Sequence, residues 1–179
     1  MTIDRRSCLV GPMSISDTQA RVLVVWHSRT GASEQMAKEV AQAASREVTT
    51  ACVRAGEVCE QPMLDASAYI FICPENLGSM SGEMKEFFDR LYYPLLGRIE
   101  GRAYATIIAA GSDGSGAERQ IDRIVTGWRL KRVADPLIVN FDAQTPEEIL
   151  AHKSVSPEAL RKARELGAAI GGGVALGVF

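Results

Sequence analysis

The stretch RVLVVWHSRTGAS, residues 21–33, carries the clearest fold signal in the chain. It begins with RVLVVW (Arg21–Trp26), a short apolar and β-branched run typical of a strand buried on both faces of a sheet. Polar residues and a glycine follow at once, and residues 32–46 then place Met36 and Val40 at helical spacing. A buried strand that passes through such a turn into an amphipathic helix predicts a parallel α/β sheet.

The rest of the chain continues this alternation. Further strands are predicted at residues 47–53, 68–73, 102–110 and 133–140, and helices at 63–67, 82–93, 117–130, from Thr145 and from Ser156 to a stop at 171–173. Parallel crossovers are right-handed, so five strands alternating with helices predict a three-layer, doubly wound α/β sheet. We expect residues 21–179 to form one domain, preceded by a mobile arm of residues 1–20.

Charge and cysteine content exclude several classes of partner. The 179 residues hold 20 basic and 22 acidic side chains, a balance that does not favour nucleic acid or an anionic membrane as partner. It also argues against a strongly acidic electron carrier. The four cysteines form no C-x-x-C pair, so no metal site is expected, and Cys52 and Cys73 fall in strands predicted to be buried.

Targeting signals are not evident in the sequence. The first 20 residues contain no apolar stretch of the length that a secretory signal needs, and the glycine-containing tail is shorter than a membrane-spanning helix. We therefore expect a cytoplasmic protein.

Three loops are candidates for chemistry, because ligands of such sheets bind beyond the carboxyl ends of the strands. The first loop, HSRTGAS (27–33), places hydroxyls, Gly31 and free backbone amides at a helix N-terminus, which suits a phosphate. An ordinary polar turn is the alternative interpretation of this loop alone.

The other two loops are rich in small residues. In the second, PENLGSMSG (74–82), the backbone near Gly78 and Ser79 is able to approach a flat ring, although a helix start capped by the Ser81 hydroxyl explains the pattern equally well. The third, AGSDGSGA (110–117), holds three glycines, and a flexible linker is its alternative interpretation.

These loops resemble a known family. HSRTGAS resembles the phosphate loop of flavodoxins, PENLGSMSGEMKEFFDR resembles the ring-side loop and following helix of flavodoxin-like quinone reductases, and AAGSDGSGAERQ resembles their third loop. The chain is thus identified as similar to the flavodoxin-like FMN-binding family, which includes NAD(P)H-dependent FMN reductases and quinone reductases. The resemblance implies the strand order 2-1-3-4-5 and noncovalently bound FMN.

The same resemblance implies a set of cofactor-binding residues. The FMN phosphate would be surrounded by Ser28, Arg29, Thr30, Gly31, Ala32 and Ser33. The ring would be lined by Pro74, Glu75, Asn76, Leu77, Gly78 and Ser79, and closed on its other side by Gly111, Ser112, Asp113, Gly114 and Gly116. Relatives often carry an aromatic residue in the second loop, where this chain has none; Trp26, Trp128, Tyr92 or Tyr93 could supply an aromatic wall, although each fits a core position as well.

The resemblance also implies a function. We expect an NAD(P)H-dependent, FMN-containing oxidoreductase that passes electrons to a quinone or a similar small acceptor, with no catalytic side chain because the flavin performs the chemistry. Two alternatives stay open, namely an electron carrier without its own substrate and a flavin-free binding module. Family resemblance further suggests a homodimer or a higher homo-oligomer.

Overall fold

The computed structural model describes residues 21–179, and the predicted arm of residues 1–20 lies outside them. The strands are β1 (Arg21–Trp26), β2 (Thr49–Arg54), β3 (Ala68–Asn76), β4 (Ser79–Met80), β5 (Ala103–Ala110), β6 (Lys131–Arg132) and β7 (Leu137–Asn140). The α-helices are α1 (Ala32–Ala44), α2 (Glu60–Asp65), α3 (Gly82–Leu95), α4 (Ser115–Gly127), α5 (Pro146–Leu150) and α6 (Pro157–Ala175). Among residues 21–179, no helix is long and apolar enough to cross a membrane.

The main sheet is parallel. Strand β1 lies between β2 and β3, and β5 follows β3 on the other side. Both β6 and β7 pair in parallel with the outer side of β5, while β4 pairs only with the end of β3, in an antiparallel hairpin. The predicted α/β class and flavodoxin-like arrangement are confirmed, and the order differs from the prediction only in these short strands.

Only the second half of the fifth predicted strand, 133–140, is a strand: β7 begins at Leu137, and the short strand β6 precedes the predicted range. Residues 133–136 lie outside the ladder, between β6 and β7. Pro136 explains the interruption, since proline has no N–H to donate to a ladder and restrains the residue before it. The sheet edge is therefore irregular immediately before β7.

Helices cover both faces of the sheet. Alternate β1 side chains belong to different cores: Val22 and Val24 pack with α1 and α6, whereas Leu23 and Val25 pack with α2 and α3. All four side chains are at most 1% exposed. This two-sided burial is the reason that the sequence of β1 is apolar at consecutive positions.

Strand β2 differs from its prediction in burial. It was expected to be a buried strand, yet it is the edge of the sheet and most of its side chains are exposed. Cys52 is accordingly exposed, whereas Cys73 on β3 is buried as predicted. The threonines of β2 suit an edge strand with one wet face.

Helix α6 continues beyond its predicted end. Gly171 and its two following glycines were expected to stop the helix, but the helix runs to Ala175. Close contact with α1 explains the difference: a Cβ on Gly167 would lie 2.4 Å from the carbonyl oxygen of Val40, and one on Gly171 would lie 2.9 Å from that of Ala44. The glycines let the two helix backbones touch, and this contact offsets their low helix propensity.

Replacement of Gly167 by alanine is expected to lower the free energy of unfolding by about 1–3 kcal/mol, because the new methyl group has to push α6 away from α1. Gly172→Ala in the same helix is the matched control, since a Cβ there meets nothing within 4 Å. That variant should gain about 0.5–1 kcal/mol from helix propensity. Urea denaturation of both variants tests the contact, and equal effects of the two substitutions would contradict it.

Candidate functional site

A cavity lies at the carboxyl ends of the parallel strands. It encloses about 490 Å³, a volume that includes the open solvent at its mouth. Its walls come from the loop after β1, the ends of β3 and β5, and the chain after β7. The lining residues are Arg29, Thr30, Ala32, Pro74, Glu75, Asn76, Ala109, Ala110, Gly111, Phe141, Ala143, Ile149, Leu150 and Lys153.

The first loop delivers a helix N-terminus to this cavity. Gly31, at φ +93°, is the N-cap of α1, and no side chain in the described part of the chain caps the helix. The Ser28 hydroxyl accepts a hydrogen bond from the Gly31 amide at 3.0 Å, whereas the following first-turn amides have no intrahelical partner. The Ser33 hydroxyl is 1% exposed and has no hydrogen-bond partner among the described residues. Both features suit an anion, because amides and a hydroxyl would donate to its oxygens.

The chain before α6 holds this loop in place. The Lys153 amide donates to the Thr30 carbonyl oxygen at 2.8 Å. The Gln35 side-chain amide donates to the carbonyl oxygens of Gly31 at 3.2 Å and Lys153 at 2.6 Å, and its oxygen accepts from the Val155 amide at 3.2 Å. These bonds use carbonyl oxygens of the loop and not its N–H groups. The N–H groups at the start of α1 are therefore left to donate to a ligand.

Basic side chains lie at the same end of the cavity. Arg29 and Lys153 line it, and the His152 ring lies directly over Gly31, where a Cβ would come within 2.5 Å of Nε2. The Lys153 ammonium group donates to the carbonyl oxygens of Ala151, at 3.2 Å, and Glu148 at the end of α5. A lysine has three N–H donors, so one stays free for a ligand.

The second loop is largely a β-hairpin. Its strands β3 and β4 are joined by Leu77 and Gly78, at φ +54° and +70°, the backbone signature of a type I′ turn. The Leu77 side chain is fully exposed. Residues 74–76 were expected to form a loop but extend β3, because the tight turn brings Ser79 and Met80 back to pair with them.

The third loop is joined to this hairpin by Glu75. The carboxylate accepts hydrogen bonds from the amides of Gly114 at 2.8 Å, Gly116 at 3.0 Å and Ala117 at 3.1 Å. These amides belong to the start of α4, a helix that has no capping hydrogen bond from its own N-cap residue. Asn140 at the end of β7 fixes the other part of the loop by donating to the Ser112 carbonyl oxygen at 2.5 Å.

Comparison with known proteins agrees with this geometry. Residues 54–135 match the model of a family described as NADPH-dependent FMN reductase. A flavodoxin from Aquifex aeolicus (strain VF5) is 33% identical over 108 residues, which are 59% of this chain and 58% of that protein. In sequence and in fold, the chain is similar to flavodoxin-like proteins. The match thus spans less than two thirds of this flavodoxin-like relative.

Solved structures share the flavodoxin-like fold at low identity. A flavodoxin from the domain Archaea superposes with a TM-score of 0.71 at 18% identity, covering 86% of this chain and 98% of that one. A flavodoxin described as WrbA-like, from Agrobacterium tumefaciens, gives 0.67 at 19% identity, covering 88% and 98%. A flavone reductase gives 0.69 at 15% identity, covering 86% and 62%.

The structure brings all three predicted loops to the same edge of the sheet, at the carboxyl ends of the parallel strands. Some residues of each loop line the cavity and others do not. Arg29, Thr30, Ala32, Pro74, Glu75, Asn76 and Gly111 line it. The other predicted residues, Ser28, Gly31, Ser33, Leu77, Gly78, Ser79, Ser112, Asp113, Gly114 and Gly116, lie in the same loops but outside its lining.

Sequence reasoning missed the wall formed by the chain after β7. Phe141, Ile149, Leu150 and Lys153 line the cavity, and the two aliphatic side chains of α5 are exposed. The capping box of Thr145 and Glu148 that predicts α5 is present. The sequence therefore indicates that this helix exists, but no local pattern indicates that it lines the cavity.

None of the predicted aromatic candidates lines the cavity. Trp128 is fully buried and stacks on Tyr92 with ring centroids 5.9 Å apart. Arg54 lies over the Trp26 ring, 5.0 Å from its centroid. The aromatic side chain among the lining residues is instead Phe141.

A polar cluster lies beside the first loop. His27 Nδ1 forms a hydrogen bond with Ser81 Oγ at 2.8 Å, and His27 Nε2 lies 3.4 Å from a Glu83 carboxylate oxygen. The prediction that the Ser81 hydroxyl caps α3 is therefore wrong, because this hydroxyl is used by His27. Burial lowers the pKa of His27 below its usual 6.5, and the positive charges of Arg54 and Arg29 add to this effect while Glu83 opposes it.

Stability is expected to depend on pH through His27. Because its pKa is lower in the folded chain than the unfolded value of 6.5, the unfolded chain binds more protons as the pH falls below about 6.5. The free energy of unfolding should therefore decrease from about pH 7 to pH 5.5, and less steeply in His27→Asn. Urea denaturation across this range measures both slopes, and identical slopes would contradict the assignment to His27.

Proposed function

We propose that this protein is an FMN-dependent NAD(P)H oxidoreductase that passes electrons to a quinone or a similar small acceptor. The observation that carries the proposal is the cavity itself, which connects the N-terminus of α1 with the ends of β3 and β5. Within residues 21–179, no side chain caps this helix and the Ser33 hydroxyl beside it has no hydrogen-bond partner. The family description NADPH-dependent FMN reductase supports the donor and the cofactor.

The residues present fit FMN. A buried hydroxyl without a partner costs free energy unless a ligand satisfies it, and a phosphate oxygen at the start of α1 is a suitable acceptor for Ser33. Residues 28–33 would hold the phosphate through amides and hydroxyls, and Arg29 and Lys153 would balance its charge.

The ring end of the cavity differs in chemistry from the phosphate end. Residues 74–79 and 111–116 would line the two sides of the ring. Phe141, Ile149 and Leu150 add apolar surface to the cavity, which suits a planar, apolar acceptor. When bound, FMN would supply the redox chemistry between NAD(P)H and this acceptor, while the chain binds, orients and shields the reactants.

Removal of the Ser33 hydroxyl tests the phosphate site. Ser33→Ala should weaken FMN binding about tenfold or more, because a hydrogen bond to a charged oxygen is lost. Riboflavin, which lacks the phosphate, should bind the variant and the unaltered protein equally. The variant without ligand should be at least as stable as the unaltered protein, since the deleted group has no partner among residues 21–179. Fluorescence titration with both flavins measures this ratio, and an equal loss for both would contradict the assignment.

The reaction itself is tested by absorption spectroscopy. The protein is mixed with FMN, freed of excess flavin, and then treated anaerobically with NADPH. Retained flavin bands that bleach with NADPH and return on addition of a quinone are the expected result. Bound flavin that NADPH does not bleach would favour an electron carrier, and failure to retain flavin would favour a flavin-free module.

A further inference from the structure

Glu75 connects the two loops on either side of the expected ring site. Its Oε2 accepts from the Gly114 amide, and its Oε1 accepts from the amides of Gly116 and Ala117, at 2.8–3.1 Å. The residue lies at the end of β3, where it pairs with Met80 of β4. One side chain thus joins the hairpin to the first turn of α4.

The start of α4 is shaped to receive the hairpin. A Cβ on Gly116 would lie 2.2 Å from the carbonyl oxygen of Gly78, so only glycine allows the turn to come this close. Gly114 has φ +86°, which favours glycine as well. Gln120, one turn further along α4, accepts from the Ser79 hydroxyl at 2.7 Å and the Met80 amide at 3.1 Å. The hairpin is therefore held against α4 at several points.

We propose that Glu75 is a positioning residue that fixes the hairpin and the third loop relative to each other, so that the cavity beside them has the right shape before a flavin ring binds. The bonds join residues of the chain to one another, whereas their effect on a flavin rests on the proposed function. Glu75 lines the cavity but turns its carboxylate toward α4. Three amides and the positive end of a helix offset its charge, so its main role toward the ring is geometric.

Glutamine has the same shape but cannot form the same bonds. A carboxylate only accepts hydrogen bonds, and here both of its oxygens face N–H groups. In Glu75→Gln, one of these oxygens becomes an NH₂ group that meets an amide donor, so at least one of the three bonds is lost. Gly116→Ala disrupts the same contact by volume alone, without a change of charge.

Glu118→Gln is the matched control. Glu118 lies in the first turn of the same helix and pairs with Arg132 at 2.5 Å, away from the hairpin. This variant should lower the melting temperature without loosening the hairpin from α4.

Two measurements test the proposal. Hydrogen exchange in the absence of flavin should be about tenfold faster at the amides of Gly114, Gly116 and Ala117 in Glu75→Gln than in Glu118→Gln. Titrations should then show weaker binding of FMN and riboflavin by a similar factor, about tenfold, in Glu75→Gln and Gly116→Ala, together with a changed absorption spectrum of the bound ring.

The outcomes separate this inference from the proposed function. Unchanged exchange at these amides, or unchanged flavin affinities and spectrum in both variants, would overturn the role of Glu75. The loss of FMN affinity alone, with riboflavin unaffected, would overturn it too, because it would locate the effect at the phosphate. Slow exchange that Glu75→Gln accelerates, in a protein that binds no flavin, would support the connection between the loops and overturn the proposed function.

Discussion

Two-sided burial of β1 is the constraint from which the remaining architecture follows. Val22 and Val24 require cover on one face, and Leu23 and Val25 require it on the other, so helices have to return over both sides of the sheet. Such returns make the neighbouring strands parallel, and every strand then delivers its following loop to the same edge. The cavity exists because packing of the core has already brought the loops together.

The parts of the fold that were predictable have local signals. The apolar run of β1, the helical spacing of α1 and the capping box of α5 can each be recognised within a few residues, and each is present in the structure. The β3–β4 hairpin was not predictable in this way, because Leu77 is an unusual residue for a turn position with positive φ. The late start of β7 depends on Pro136, which has no N–H to donate to the ladder and so ends the apolar pattern's agreement with strand pairing.

Only part of the candidate site could be predicted from the sequence, again because only that part has a local signal. Its three glycine-containing loops have a recognisable composition, whereas Phe141 and Lys153 have none that points to a cavity. Their place depends on contacts between distant parts of the chain, such as the hydrogen bond from Gln35 to the Lys153 carbonyl oxygen. Glu75 lines the cavity as the predicted ring site requires, but its hydrogen bonds to the amides at the start of α4 join residues about 40 positions apart and have no local sequence signal.

Contact between α1 and α6 has a consequence for how the protein matures on the ribosome. The glycines of α6 pack closely against one face of α1. Gln35, at the start of α1, forms hydrogen bonds with backbone groups of Lys153 and Val155, about 120 positions later in the chain. A growing polypeptide therefore exposes the apolar side of α1 until Lys153, Val155 and α6 have been synthesised. Contacts of such long sequence separation form slowly, so the loop before α1 is expected to reach its final conformation only late in folding.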